Sequence, residues 1–155
     1  MELAAEEAKP APSWVQLSYL HNQLGIALDK AGLYDKALEH YQKSLAIKLK
    51  QLGPEHPLVA TSYNNIGLVH GKKGEYDKAL EHFQKSLAIK LKQLGPEHPL
   101  VAASYNNMAY VYNATKDLAK AKEYREKAYA IYLKKLGPNH PDTKDTKAEL
   151  DALKE

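Results

Sequence analysis

Residues 35–56 read DKALEHYQKSLAIKLKQLGPEH, and residues 77–98 read DKALEHFQKSLAIKLKQLGPEH. The two stretches lie 42 residues apart and match at 21 of 22 positions, the exception being Tyr41 against Phe83. Self-similarity at a fixed period of this size is the mark of a repeat architecture. The register extends in both directions. SYNN stands at 62–65 and again at 104–107, and LGPNHP at 136–141 continues the spacing of the two LGPEHP segments. The units divide as 13–56, 57–98 and 99–140, with a partial fourth at 141–155 that reads as a capping helix and a flexible segment at 1–12.

Each unit reads as helix, short break, helix. In the second, Val59, Tyr63, Ile66 and Val69 or His70 form one apolar stripe. Gly71-Lys72-Lys73-Gly74 interrupts it. Tyr76, Ala79, Leu80, Phe83, Leu87, Leu91 and Leu94 form a second stripe, spaced by threes and fours. Gly95 ends that helix, and Pro99 fits the first turn of the next, where proline loses no hydrogen bond. Ser13 and Gln16 have the spacing of a capping box. The expected fold is an all-α, right-handed superhelical solenoid of antiparallel helix hairpins, in which stacking of neighbours builds one continuous core. The tail PDTKDTKAELDALKE is polar apart from Ala148, Leu150, Ala152 and Leu153, which suits a solvating end.

Asn65-Ile66-Gly67, Gly74, Tyr76, Ala79, Phe83 and Ser86 carry a signature that Leu24-Gly25, Gly32, Tyr34, Ala37, Tyr41 and Ser44 repeat. At these residues the chain resembles the tetratricopeptide repeat family over nearly all its length. The long period, LGPEHP and the Asn-Asn pair resemble the kinesin light chain and nephrocystin subtype. Such internal identity is also what a consensus-like or engineered array would show. The third unit departs from the pattern, with Ala109, Lys116, Leu118 and Arg125 where earlier units carry Gly, Gly, Tyr and Tyr or Phe.

Turning about 100° per residue from Ile66 places Thr61, Asn64, Asn65, Leu68 and Lys72 on the face opposite the buried stripe. The same register gives Tyr19, Asn22, Gln23, Ile26 and Lys30 in the first unit, and Asn106, Asn107, Tyr110 and Asn113 in the third. This face is expected to line the concave side. Asparagine amides both donate and accept, so a ladder of them can pair with the backbone of an extended peptide. Ile26, Leu68 and Tyr110 would take apolar anchors, and Lys30 and Lys72 acidic ones. Alanine at Asn64 and Asn106 should then weaken capture and leave the melt unchanged. An acidic peptide with an aromatic anchor is what the subtype resemblance implies. The expected function is that of an adaptor binding a protein or peptide segment.

The remaining chemistry is sparse. The chain has no cysteine, so disulfides and thiolate metal sites are excluded. Repetition explains the spacing of His56, His98 and His140, and of His40 and His82, without a metal. There is no phosphate loop of the Walker type, no G-x-S-x-G and no H-E-x-x-H, so neither an enzyme nor a cofactor is expected. No stretch approaches the length of a membrane span, and the acidic start lacks signal-peptide features, so a cytosolic protein is expected. A net charge of +3 does not call for nucleic acid. Lys48, Lys50, Lys90 and Lys92 form a repeated basic edge, read as dipole-complementing side chains on the outer face. RNA binding is the weaker rival. Self-association is the other alternative, because near-identical units can stack end to end.

Overall fold

A computed structural model describes residues 11–153. Most of the segment expected to be flexible lies outside the described residues. The described chain is seven helices: α1 (Trp14–Lys30), α2 (Tyr34–Leu52), α3 (Pro57–Lys72), α4 (Tyr76–Leu94), α5 (Pro99–Ala114), α6 (Leu118–Leu136) and α7 (Pro141–Ala152). They pair as hairpins α1–α2, α3–α4 and α5–α6, and each hairpin stacks on the next, with α7 against α6. The result is an all-α helical repeat solenoid.

Local chemistry sets the helix ends. The Ser13 hydroxyl accepts from the Gln16 backbone N–H at 3.2 Å, and the Gln16 side chain accepts from the Ser13 N–H at 2.9 Å. Inside each hairpin the chain reverses through a left-handed residue, Gly32 (φ 75°), Gly74 (φ 76°) and Lys116 (φ 66°). Lys116 keeps the turn of the earlier units although a Cβ is disfavoured there. Leu33, Glu75 and Asp117 each return an N–H to the carbonyl five residues back, at 2.9 Å, which closes the turn.

Between units the helix stops at Gly53, Gly95 or Gly137, at φ near 85° and ψ near 167°, a region essentially restricted to glycine. His56, His98 and His140 follow as N-caps. Their Nδ1 atoms accept from the backbone N–H two residues on, at 3.1, 3.1 and 3.2 Å, with proline next in the chain. Helix capping therefore accounts for these three histidines. The other pairs pack within hairpins: His21 and His40 face each other with Nδ1 atoms 3.0 Å apart, and His82 lies against buried His70.

Close approach inside a hairpin depends on a missing side chain. A Cβ at Gly25 would lie 2.7 Å from the Tyr41 ring, and one at Gly67 would lie 2.7 Å from the Phe83 ring. Between hairpins, Leu45 and Leu49 pack on Val59 and Ala60, and Leu87 and Leu91 on Val101 and Ala102. The lysines read as a basic outer edge are partly misplaced by that reading. Lys48 and Lys90 are buried, and each donates to a serine on the following helix, Ser62 at 3.0 Å and Ser104 at 2.9 Å. Burial pushes both lysines below their ordinary pKa. Their four-carbon stems cross the unit interface, so sequence position near the helix C-terminus did not imply exposure.

The two ends differ. In α7 it is Thr143, Thr146 and Leu150 that are buried, while Ala148 and Ala152 are exposed. Those three positions share the register of Val101, Ser104 and Met108, so α7 docks as a first helix of a fourth unit. At the other end Leu17, Leu20 and Leu24 hold the register of Val59, Ser62 and Ile66, yet are 37%, 52% and 46% exposed. Among the described residues no helix covers them.

Candidate binding groove

First helices of successive units lie side by side, and α3 and α5 touch directly. Polar side chains tie each neighbouring pair. The Lys72 ammonium of α3 donates to both carboxylate oxygens of Asp29 on α1, at 2.8 and 2.7 Å. Asn107 of α5 donates its amide N–H to the Asn64 carbonyl of α3 at 2.9 Å. Asn106 of α5 donates to the Thr146 hydroxyl of α7 at 2.8 Å. The amides expected to face a ligand thus also bond neighbouring helices, because units one repeat apart bring them within reach. Sequence periodicity within one helix could not show this.

A cleft of about 420 Å³ runs along α3, α5 and α7. Leu68, Lys72, Asn106, Asn107 and Tyr110 line it, all from the face singled out by sequence. Leu68 and Tyr110 are 38% and 56% exposed, a large fraction for apolar bodies beside a cleft. Phe83, Arg125 and Tyr132 lie deeper, and Asp142, Asp145 and Glu149 form the wall on α7.

The remaining expected residues do not line this cleft. Tyr19 is exposed over a separate shallow depression with Pro12, Gln16 and Leu20. Ile26, expected as an anchor, packs instead against the core of Tyr41, Ile66 and Val69, because the next hairpin folds onto its helix. Asn22 and Asn65 are half-buried, and Gln23, Lys30, Thr61 and Asn113 are exposed. The Thr61 hydroxyl donates to the Pro57 carbonyl at 3.3 Å.

Sequence reasoning missed the wall and the floor of the cleft. Asp145 and Glu149 stand one period beyond Ala103 and Asn107, so the register could have found them. Treating the tail as a solvating end hid them. Arg125 replaces the ring of Tyr41 and Phe83. It is buried, and its guanidinium pairs with the Glu149 carboxylate across α6 and α7. Burial draws its pKa below the ordinary arginine value, and Glu149 opposes that. Tyr132 replaces Lys48 and Lys90; burial, helped by the nearby Asp142 charge, pushes its hydroxyl up to about 12. Arg125 and Tyr132 thus depart from the repeat at this cleft, whereas Ala109, Lys116 and Leu118 depart from it elsewhere.

The sequence profile of the tetratricopeptide repeat family matches residues 16–92, 63–134 and 100–150. The chain belongs to the tetratricopeptide repeat family. No match was found among curated proteins. Among solved structures, BtubC (BKLC) from P. vanneervenii is similar, with a TM-score of 0.83 and 26% identity over 96% of this chain. A putative kinesin light chain of nearly identical TPR-like repeats from P. anserina is similar at 0.79 and 27%, over 92% of this chain. The chain spans 59% of the first and 67% of the second. The first TPR domain of Spaghetti (RPAP3), bound to the HSP90 peptide SRMEEVD, shares the fold at 0.64 and 17% identity, over 90% of this chain and 91% of that one. Among the described residues no helix is long and apolar enough to cross a membrane.

Proposed function

We propose that this tetratricopeptide repeat chain is an interaction module that holds an extended segment of another protein in the groove along α3, α5 and α7. The observation that carries the reading is a cleft lined by Leu68, Asn106, Asn107 and Tyr110, all from the helix faces opposite the buried stripes. Arg125, Tyr132, Asp145 and Glu149 each depart from the side chain that earlier units hold at the same register, and all line one cleft. Leu68 and Tyr110 offer exposed apolar surface for an anchor side chain at the cleft's edge. The peptide-bound Spaghetti domain supports the reading through its shared fold. No chemistry on the bound segment is part of it. Lys30 is exposed outside this cleft, and Lys72 within it is already paired with Asp29.

Anisotropy titration with a labelled peptide library tests it. Leu68→Ala with Tyr110→Ala should weaken capture by about tenfold or more, as loss of apolar anchors does, with little change in the melt because both side chains are exposed. Unchanged affinity in the double variant would remove the groove assignment.

A second reading has its own observation. The exposed Leu17, Leu20 and Leu24 face is where a preceding helix would dock by repeat register. Light scattering across concentration decides whether copies of the chain meet there: a constant monomer mass would discard self-association.

A further inference from the structure

We infer that the segment bound at the α5–α7 end of the groove is cationic, with a lysine or arginine beside its apolar anchor. This rests on the groove reading above and adds the ligand's charge.

The first support is an inventory of partners in the cleft. It contains two cationic side chains, and both are already engaged: Lys72 with Asp29, and Arg125 with Glu149. The Asn106 and Asn107 amide nitrogens donate to Thr146 and Asn64. The acceptors are in surplus. Asn106 Oδ1 is buried in the cleft with no hydrogen-bond partner. Asp145 has no cationic partner among the described residues; Asp142 lies 3.8 Å from His140 Nδ1, which accepts from the Asp142 N–H, and near the neutral Tyr132 hydroxyl. A buried acceptor without a donor is costly, so a ligand gains by bringing N–H groups and positive charge.

The second support is how α7 sorts its charges. Asp142, Asp145 and Glu149 recur at i, i+3 and i+7 and share the face that lines the cleft. Lys144 and Lys147 lie around Tyr129, away from it. Asp142 sits in the first helical turn, where the helix dipole alone would favour a carboxylate. Asp145 and Glu149 lie beyond that turn. A chain of net charge +3 thus presents a local negative wall beside the exposed Tyr110. Such complementarity selects partners and speeds encounter.

Three fluorescein-labelled peptide sets test the inference. All share a central tryptophan, flanked by Lys and Arg, by Asp and Glu, or by Ser and Gln. The cationic set should bind about tenfold tighter than the neutral set, with the advantage shrinking as salt rises. Asp142→Asn with Asp145→Asn should reduce the cationic set to the neutral level. Asp145→Asn alone serves if the double variant does not fold. Glu123→Gln on the exposed face of α6 should leave the preference intact. Equal or tighter binding of the acidic set, or a cationic preference that survives loss of both carboxylates, would overturn the inference while leaving the groove. Failure of all three sets would remove the groove reading itself.

Discussion

Gly67→Ala is the sharpest test of how the hairpins are built. Mid-helix glycine is about 1 kcal/mol worse than alanine, so propensity alone makes the substitution stabilising. The structure opposes it. The new Cβ would sit 2.7 Å from Phe83 Cε1, 2.8 Å from Cδ1 and 3.2 Å from the Ala79 carbonyl oxygen. The ring has nowhere to move, because it is 1% exposed and backed by Met108 and Val111. The backbone contact also limits sliding of α4. Overpacking of this kind costs about 1–3 kcal/mol. Since the closest contacts lie below ordinary van der Waals distance, the upper half of that range applies, and the net loss is about 1–2 kcal/mol. For a chain of this size that lowers Tm by roughly 2–8 °C. Urea unfolding followed by far-ultraviolet circular dichroism measures it, with an unchanged slope showing that the denatured state is not involved. In a Phe83→Leu background the clash is largely gone, and the same substitution should become neutral or stabilising, a coupling of about 1–3 kcal/mol. The third unit already makes a related exchange, with Ala109 in the glycine position and Arg125 in place of the ring. A neutral or stabilising Gly67→Ala in the native background, or an equal effect in both backgrounds, would refute the packing argument.

Lys48 and Lys90 have folded-state pKa values lowered by burial, so over a window reaching up to the ordinary value of 10.5 the unfolded chain binds more protons and stability rises with pH. Urea midpoints across that range should show this rise, and Lys48→Met with Lys90→Met should lack it while being at least as stable at neutral pH. Removing the N-cap acceptor in His98→Ala should cost about 1 kcal/mol, and His98→Asn should retain most of it; equal melts for the two would discard the capping role. Asn64→Ala and Asn107→Ala should each lose about 1 kcal/mol, and the double variant little more than either alone. Fully additive losses would show that the 2.9 Å bond between them does not hold α3 to α5.

Sequence alone determined the helices, their order and their stacking. The 42-residue identity, the helical spacing of apolar residues and the Gly and Pro positions act within one or two turns, and local sterics and burial periodicity are enough to read them. That Leu68 and Tyr110 line the cleft was legible for the same reason: each lies opposite a buried stripe on its own helix. What the tertiary structure decided is which side chains meet across neighbouring units. Ile26 became core because another hairpin covers it, Lys48 and Lys90 were buried because their stems bridge an interface, and Asn64 and Asn106 found partners on adjacent helices. The acidic wall of Asp145 and Glu149 came into view only when α7 docked in the register of a first helix. Contacts between residues some forty positions apart depend on how two surfaces meet, and a single-helix periodicity carries no record of that meeting.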